Sequence, residues 1–309
     1  MDQNNLKFNI GLPLSANPKD FRCFLKEYHQ HIESIYFSLP LGIQHHTRQK
    51  ISNFFAKEKN VAKFWELLRI IKEFPIELEL LLNSYALSGE DVAKAAALLK
   101  EHNVDIDAVC PLDHLYEDTV RCFPGKKLIY SYNNGIRTVA DFDNAAKAHH
   151  YDYYVIGSSA IRNNELFKHI QEQGKKVILL VNNGCSYNCG WCRENGSCMK
   201  TFKHNLKTHS AEHLYALQTI LPNELHDGTV DLSAVDLLKF SNRTSPLRYT
   251  KNGLDSYISG QMLRYIRRSR MNYSLYARMQ GFWRHFLFLN LKKIRKYKEE
   301  ILGHPVTFK

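Results

Sequence analysis

Between Asn182 and Cys198 the chain reads Asn-Asn-Gly-Cys-Ser-Tyr-Asn-Cys-Gly-Trp-Cys-Arg-Glu-Asn-Gly-Ser-Cys, which puts four of its seven cysteines in one short stretch. Cys185, Cys189 and Cys192 are spaced C-x3-C-x2-C, and Cys198 follows after five intervening residues. Thiolates are the ligands of iron–sulfur clusters and of zinc, and a compact loop can bring three or four of them onto one centre. The odd count and the clustering do not resemble a disulfide framework; in a reducing compartment such a cluster reads as metal-binding or catalytic. Cys23 and Cys122, far from the cluster, read as packed or incidental thiols.

Three chemistries are open to these residues. In the first, the triplet holds a 4Fe–4S cluster with one iron left for S-adenosylmethionine. The spacing is that of radical SAM enzymes, and Trp191 stands where an aromatic often precedes their last cysteine. In that family, however, the triplet follows the first barrel strand, whereas several strand-like runs precede it here. In the second, four thiolates close a 4Fe–4S cluster, with Cys185, Cys189 and Cys192 as ligands and Cys198 or the strand-end Cys110 as the fourth. In the third, the same thiolates hold tetrahedral zinc. A second C-x2-C pair is missing, because Cys192 and Cys198 stand too far apart, so the balance favours iron–sulfur over zinc. His204 and His209 are alternative ligands nearby.

A metal loop needs a rigid scaffold, and the segment before it supplies one. Lys176 to Val181 is an apolar run with the look of a buried strand. Similar runs occur at Phe8–Pro13, Ser34–Leu39, Ile76–Leu82, Ile106–Cys110, Lys127–Tyr132, Tyr153–Ser158 and Asp236–Phe240. Between them, Asp20–His29, Ala62–Phe74, Gly89–Leu99, Val139–Ala148 and Asn164–Gln173 carry apolar residues at helical spacing. The long second connection, from about Gly42 to Glu73, has room for an extra helix. Alternating strands and helices argue for βα units on a parallel sheet. Eight such units over ~240 residues match the usual size of a (β/α)8 TIM-like barrel better than an open doubly wound sheet. Residues 1–249 are read as that barrel, with the cysteine loop at 182–198, and residues 250–309 as a helical, basic C-terminal extension.

In a parallel barrel the residues that follow each strand converge on one rim. Here they include Asn83, Tyr85, Cys110, Asp113, Asn133, Asn134, Ser158, Ser159, Arg162, Asn182, Asn183, the cysteines and Arg243. Such a rim, with many amides and few paired carboxylates, suits ligand binding better than a glycosidase dyad, although asparagine and serine at strand ends also cap helices. Asn133, Asn182, Lys239 and Arg243 are the candidate substrate-binding residues. Lys239 and Arg243 have the chemistry to hold a carboxylate or phosphate, or to form an ion pair that stabilises the barrel rim. No serine–histidine–aspartate set, HExxH helix or phosphate-cradling glycine loop stands out, so these residues give peptidase activity no support.

The formal charge is +11, and much of the excess lies between Arg264 and Lys298, with aromatics interspersed. That segment could meet RNA, an anionic membrane surface or a protein partner, or simply be a solvated helix face. At 44% apolar residues the chain can bury a core, and its apolar runs fall short of the ~20 residues of a membrane-spanning helix. No signal peptide is visible, and a cytoplasmic location is expected.

Two segments resemble a known family. Lys176-Val-Ile-Leu-Leu-Val-Asn-Asn-Gly-Cys-Ser-Tyr-Asn-Cys189 is similar to the strand, Leu-Val-Asn-Glu-Gly-Cys and further cysteine of collagenase-like proteins, peptidase family U32. Asp236-Leu-Leu-Lys-Phe-Ser-Asn-Arg-Thr-Ser-Pro-Leu-Arg-Tyr249 resembles that family's Lys-Ile-Glu-Gly-Arg, Ser-Pro and Tyr element after a late strand. The resemblance implies a barrel with a cysteine-ligated iron–sulfur cluster. It also implies oxygen-independent hydroxylation of RNA bases or of small quinone precursors, with Cys185 and Cys189 as cluster ligands and Lys239 and Arg243 as the basic pair. This chain departs from the pattern at Asn183 and Ser241, where the family has acids, and its later cysteines are more tightly spaced.

Overall fold

The computed structural model describes residues 6–42, 49–157, 160–181, 220, 222–226, 230–240, 246–260 and 299. Eight parallel strands close into a barrel in sequence order: β1 Phe8–Gly11, β2 Ile32–Phe37, β3 Glu77–Leu82, β4 Ala108–Pro111, β5 Lys127–Tyr130, β6 Tyr153–Ile156, β7 Lys176–Leu180 and β8 Leu237–Phe240. All eight expected runs are strands, and the fold is a TIM barrel. Most are shorter than the apolar runs that announced them. β4, for example, begins at Ala108, because Asp107 before it turns its carboxylate onto the Leu78 amide.

The strands read as continuous apolar runs because both their faces are buried. Phe8, Ile10, Leu78, Leu80, Val177 and Leu179 face outward into the layer shared with the helices. Tyr36, Leu81, Cys110, Ile129, Val155, Ile178 and Leu180 fill the interior. The helices are α1 Pro18–Tyr28, α2 Gln49–Phe55, α3 Glu58–Ile71, α4 Gly89–Glu101, α5 Tyr116–Cys122, α6 Val139–Ala148, α7 Asn164–Glu172, α8 Pro222–His226 and α9 Leu247–Ser259. α1 starts where the Asn17 side chain accepts from the Lys19 amide and Pro18 takes the first helical position, and it buries Phe21, Phe24, Leu25 and Tyr28. Capping boxes start α4 (Ser88, Asp91) and α6 (Thr138, Asp141). α2 is the extra helix of the long second connection. The division expected at residue 249 falls inside α9, whose Leu254 and Tyr257 are fully buried; this helix is the barrel's own outer layer.

At the N-terminal end of the barrel an aspartate brace recurs. Asp107, Asp152 and Asp236 each stand immediately before an even-numbered strand. Their carboxylates accept from the amides of Leu78, Leu128 and Val177 on the preceding odd-numbered strand, each at 2.8 Å. The first pair, β1–β2, has instead a register shift between Phe8 and Asn9.

Among the described residues no helix is long and apolar enough to cross a membrane.

Tyr154, on the outer face of β6, is fully buried, and its hydroxyl has no hydrogen-bond partner among the described residues. Burial, reinforced by the negative charge of Asp113, pushes its pKa up to about 12. Removing an unsatisfied buried hydroxyl relieves its desolvation cost, so Tyr154→Phe is expected to raise unfolding stability by about 1 kcal/mol at neutral pH. The stability linked to the neutral phenol is fully present below an unfolded-chain pKa of about 10 and is lost as pH rises toward 12. The variant should therefore show a smaller loss over that interval in urea titrations; an unchanged alkaline profile would count against this account.

Candidate functional site at the C-terminal mouth

Four polar side chains in the middle of apolar strands meet inside the barrel. Glu79 on β3 is fully buried, and its Oε1 accepts from Lys239 Nζ on β8 at 2.7 Å. Its Oε2 accepts from Asn9 Nδ2 on β1 at 2.6 Å, and the same amide nitrogen reaches Ser34 Oγ on β2 at 2.5 Å. Asn9 and Lys239 are lateral neighbours across the β1–β8 pairing that closes the barrel. Lys239 Nζ also lies 4.1 Å from the centre of the Tyr36 ring, a cation–π contact, and the Tyr36 hydroxyl donates to the Phe240 carbonyl. The amide orientation of Asn9 follows from the network, since only its NH2 can face an ionised carboxylate. Asn9 Oδ1 is left without a partner among the described residues.

Of the two readings open for Lys239, the structure shows the ion pair, made in the interior and not at the rim. Lys239 lies inside the barrel with its charge compensated by Glu79, so it is not poised as a lone cation for a substrate anion. The partners Glu79, Asn9 and Ser34 were missed from the sequence. Their signal was there: a charged or amide residue amid a doubly buried strand must find a partner across the interior.

Above this network, part of the rim is built from loops that bind each other. Asn133 Nδ2 donates to the Asn83 carbonyl at 2.9 Å, and the Tyr85 hydroxyl donates to the Asn133 carbonyl at 2.6 Å, tying the loops after β3 and β5. Asn134 and Asp113 are bonded through both side chain and backbone, and Asp113 also accepts from the Tyr151 hydroxyl at 3.0 Å. In this arrangement Asn133 braces a loop. Cys110, offered as a fourth ligand, is buried on the inner face of β4 among Tyr36, Leu81 and Leu180. Cys23 is exposed and Cys122 is half-buried.

Next to β7, Val181 N donates to the Lys239 carbonyl at 3.1 Å, and Ile220 N donates to the Val181 carbonyl at 3.0 Å. The chain thus leaves the described barrel and rejoins it at one point on the C-terminal rim. Arg162, after β6, pairs with Glu224 of α8 at 2.6 Å, and Glu224 is almost wholly buried. Cys185, Cys189, Cys192, Cys198, Asn182 and Arg243 lie outside the described residues, as do Ser158, Ser159, Asn183, Ser241, His204, His209 and the basic stretch from Arg264 to Lys298. Among the described residues no three histidine, cysteine, aspartate or glutamate side chains come together as metal ligands.

No family model matches the chain, and no curated protein does. Solved structures do. The U32 peptidase Mk0906 is 10% identical, with a TM-score of 0.49, and the match covers 78% of this chain and 95% of that one. A conserved protein of unknown function from Enterococcus faecalis is 14% identical, with a TM-score of 0.44, covering 82% of this chain and 65% of that one. A magnesium-bound racemase from Streptomyces coelicolor is 9% identical, with a TM-score of 0.39, covering 78% and 57%. Identities and TM-scores this low carry no argument about this chain, and the barrel rests on its own strand pairing.

Proposed function

We propose that this barrel carries an iron–sulfur cluster at its C-terminal mouth, held by Cys185, Cys189 and Cys192 with Cys198 as the fourth ligand. We further propose that it performs redox or oxygen-independent hydroxylation-type chemistry on a small or RNA-borne substrate. The observation that carries this reading is the Val181–Ile220 hydrogen bond. The cysteine-bearing excursion starts and ends at the face where barrel active sites lie. Cys185 follows Val181 by four residues, so chain length alone keeps it within about 14 Å of that rim. An all-thiolate donor set fits iron–sulfur ligation. Cys110 suits the fourth position less well, because it already packs as a small hydrophobe inside the barrel.

When bound, such a cluster supplies one-electron transfer at the mouth. The chain's own contribution below it is a neutral, pre-organised floor: Lys239 and Glu79 offset each other's charge, and Asn9 fixes the carboxylate. The substrate class rests on the two sequence segments alone, and the basic C-terminal segment is the part suited to RNA, an anionic membrane surface or a protein partner. The radical SAM reading is less favoured, because the triplet follows the seventh strand.

Iron, sulfide and zinc counted on anaerobically isolated protein test the proposal. About four iron and four sulfide per chain are expected, with no spectral change on adding S-adenosylmethionine. Colourless, metal-free protein or stoichiometric zinc rejects it, and a SAM-dependent spectral change with release of 5′-deoxyadenosine transfers the assignment to radical chemistry.

A further inference from the structure

We infer that Arg162, Glu224 and Tyr257 are positioning residues that fix where the cysteine-bearing excursion re-enters the barrel, an inference that rests on the iron–sulfur reading above. The re-entry point is held from three directions. Ile220 N donates to the Val181 carbonyl, which ties it to the end of β7. The Tyr257 hydroxyl, from α9, donates to the Ile220 carbonyl. Two residues beyond Ile220, α8 begins, and its Glu224 receives Arg162 from the loop after β6 at 2.6 Å. α8 is in turn tied to α9, where His226 Nε2–H donates to the Tyr257 carbonyl at 2.7 Å. Gly260 makes this closeness possible, since a Cβ there would come within 2.8 Å of the His226 ring.

The ion pair is informative because it is not needed for burial. Glu224 is 1% exposed at its side chain and Arg162 18%. An apolar pair of similar volume would close that space as well or better, since desolvating two charges offsets much of their attraction. What a charged pair adds is direction: the planar guanidinium donates to the Glu224 carboxylate in a narrow range of geometries. Four thiols can share one centre only if the chain between them converges. With Val181 and Ile220 already side by side, the entropy of bringing the two ends of the intervening chain together is lost on folding rather than on metal uptake. The pair and the tyrosine thus act on the centre through the backbone, as outer contacts act on metal ligands.

The test uses the full chain loaded anaerobically with ferrous iron and sulfide. Arg162→Met and Glu224→Gln remove the charge at similar volume, Arg162→Lys keeps it, and Tyr257→Phe removes the hydroxyl that donates to Ile220 while leaving its ring against Phe240. Each is read by the rate at which a ferrous chelator strips iron and by the electron paramagnetic resonance spectrum of the reduced protein, well below the unfolding temperature. Iron loss is expected to be about 10–100-fold faster in Arg162→Met, Glu224→Gln and Tyr257→Phe, with altered spectra, and Arg162→Lys is expected to recover part of the difference. Variants that melt earlier yet release iron at the wild-type rate with the wild-type spectrum overturn the inference and leave the cluster standing. If wild-type protein takes up no iron, the cluster reading fails first and the inference falls with it. Should the charge variants not fold, Tyr257→Phe alone decides.

Discussion

Glu79→Leu is expected to destabilise the barrel by about 3–5 kcal/mol, while the double variant Glu79→Leu with Lys239→Met recovers most of that loss. The asymmetry follows from burial. In the single variant Lys239 remains in the interior as an uncompensated cation beside the Tyr36 ring, and Asn9 loses the stronger of its two acceptors. In the double variant neither charge is left to desolvate, and leucine and methionine fill similar space. Urea unfolding of wild type, both singles and the double gives the coupling energy directly. A cost below about 1 kcal/mol for Glu79→Leu would mean that Lys239 escapes to solvent, and the neutral floor described above would have to be abandoned. The experiment does not depend on any cofactor, because the four residues involved lie wholly within the barrel's strands.

Cys185→Ala, Cys189→Ala and Cys192→Ala are each expected to abolish iron retention, and Cys198→Ala to do the same, whereas Cys110→Ala retains the cluster. Loss of one thiolate from a four-cysteine centre leaves an iron open to solvent, and such centres decompose in air. Cys110 is the discriminating control: a small buried thiol whose replacement removes one packing atom and costs about 1 kcal/mol of stability. Iron retention after gel filtration, with the visible absorbance of each protein, gives the answer. If Cys110→Ala empties the protein while Cys198→Ala does not, the centre draws on β4 and must sit deeper in the mouth than the excursion alone would put it.

The barrel was legible because its strands are buried on both faces and so appear as mainly apolar runs, bounded by helix starts with recognisable caps such as Ser88–Asp91 and Thr138–Asp141. Closure was not written in any one segment; it is the pairing of β1 with β8, between residues far apart in the chain. α5 was not anticipated, since Tyr-Glu-Asp-Thr-Val-Arg-Cys has no clear apolar stripe and only Thr119 is buried. The interior network escaped for a related reason. Glu79 in Glu-Leu-Glu-Leu-Leu-Leu reads as one more polar position of an alternating strand, and only the register shows that it meets Asn9 and Lys239. Arg162 was recognised as a rim residue, but its partner Glu224 stands 62 positions away with no local pattern to connect them.

The aspartate braces beneath the barrel lace its strands together. The carboxylates of Asp107, Asp152 and Asp236 tie β3 to β4, β5 to β6 and β7 to β8, and the carbonyls of Asp107 and Asp152 accept from Lys127 N of β5 and Lys176 N of β7. The lacing therefore runs unbroken from β3 to β8, and sub-global opening is expected to begin outside it, at β1. A fluctuation that parts β1 from β8 would draw Asn9 away from Lys239, its lateral neighbour across that pairing, while the laced strands stay together.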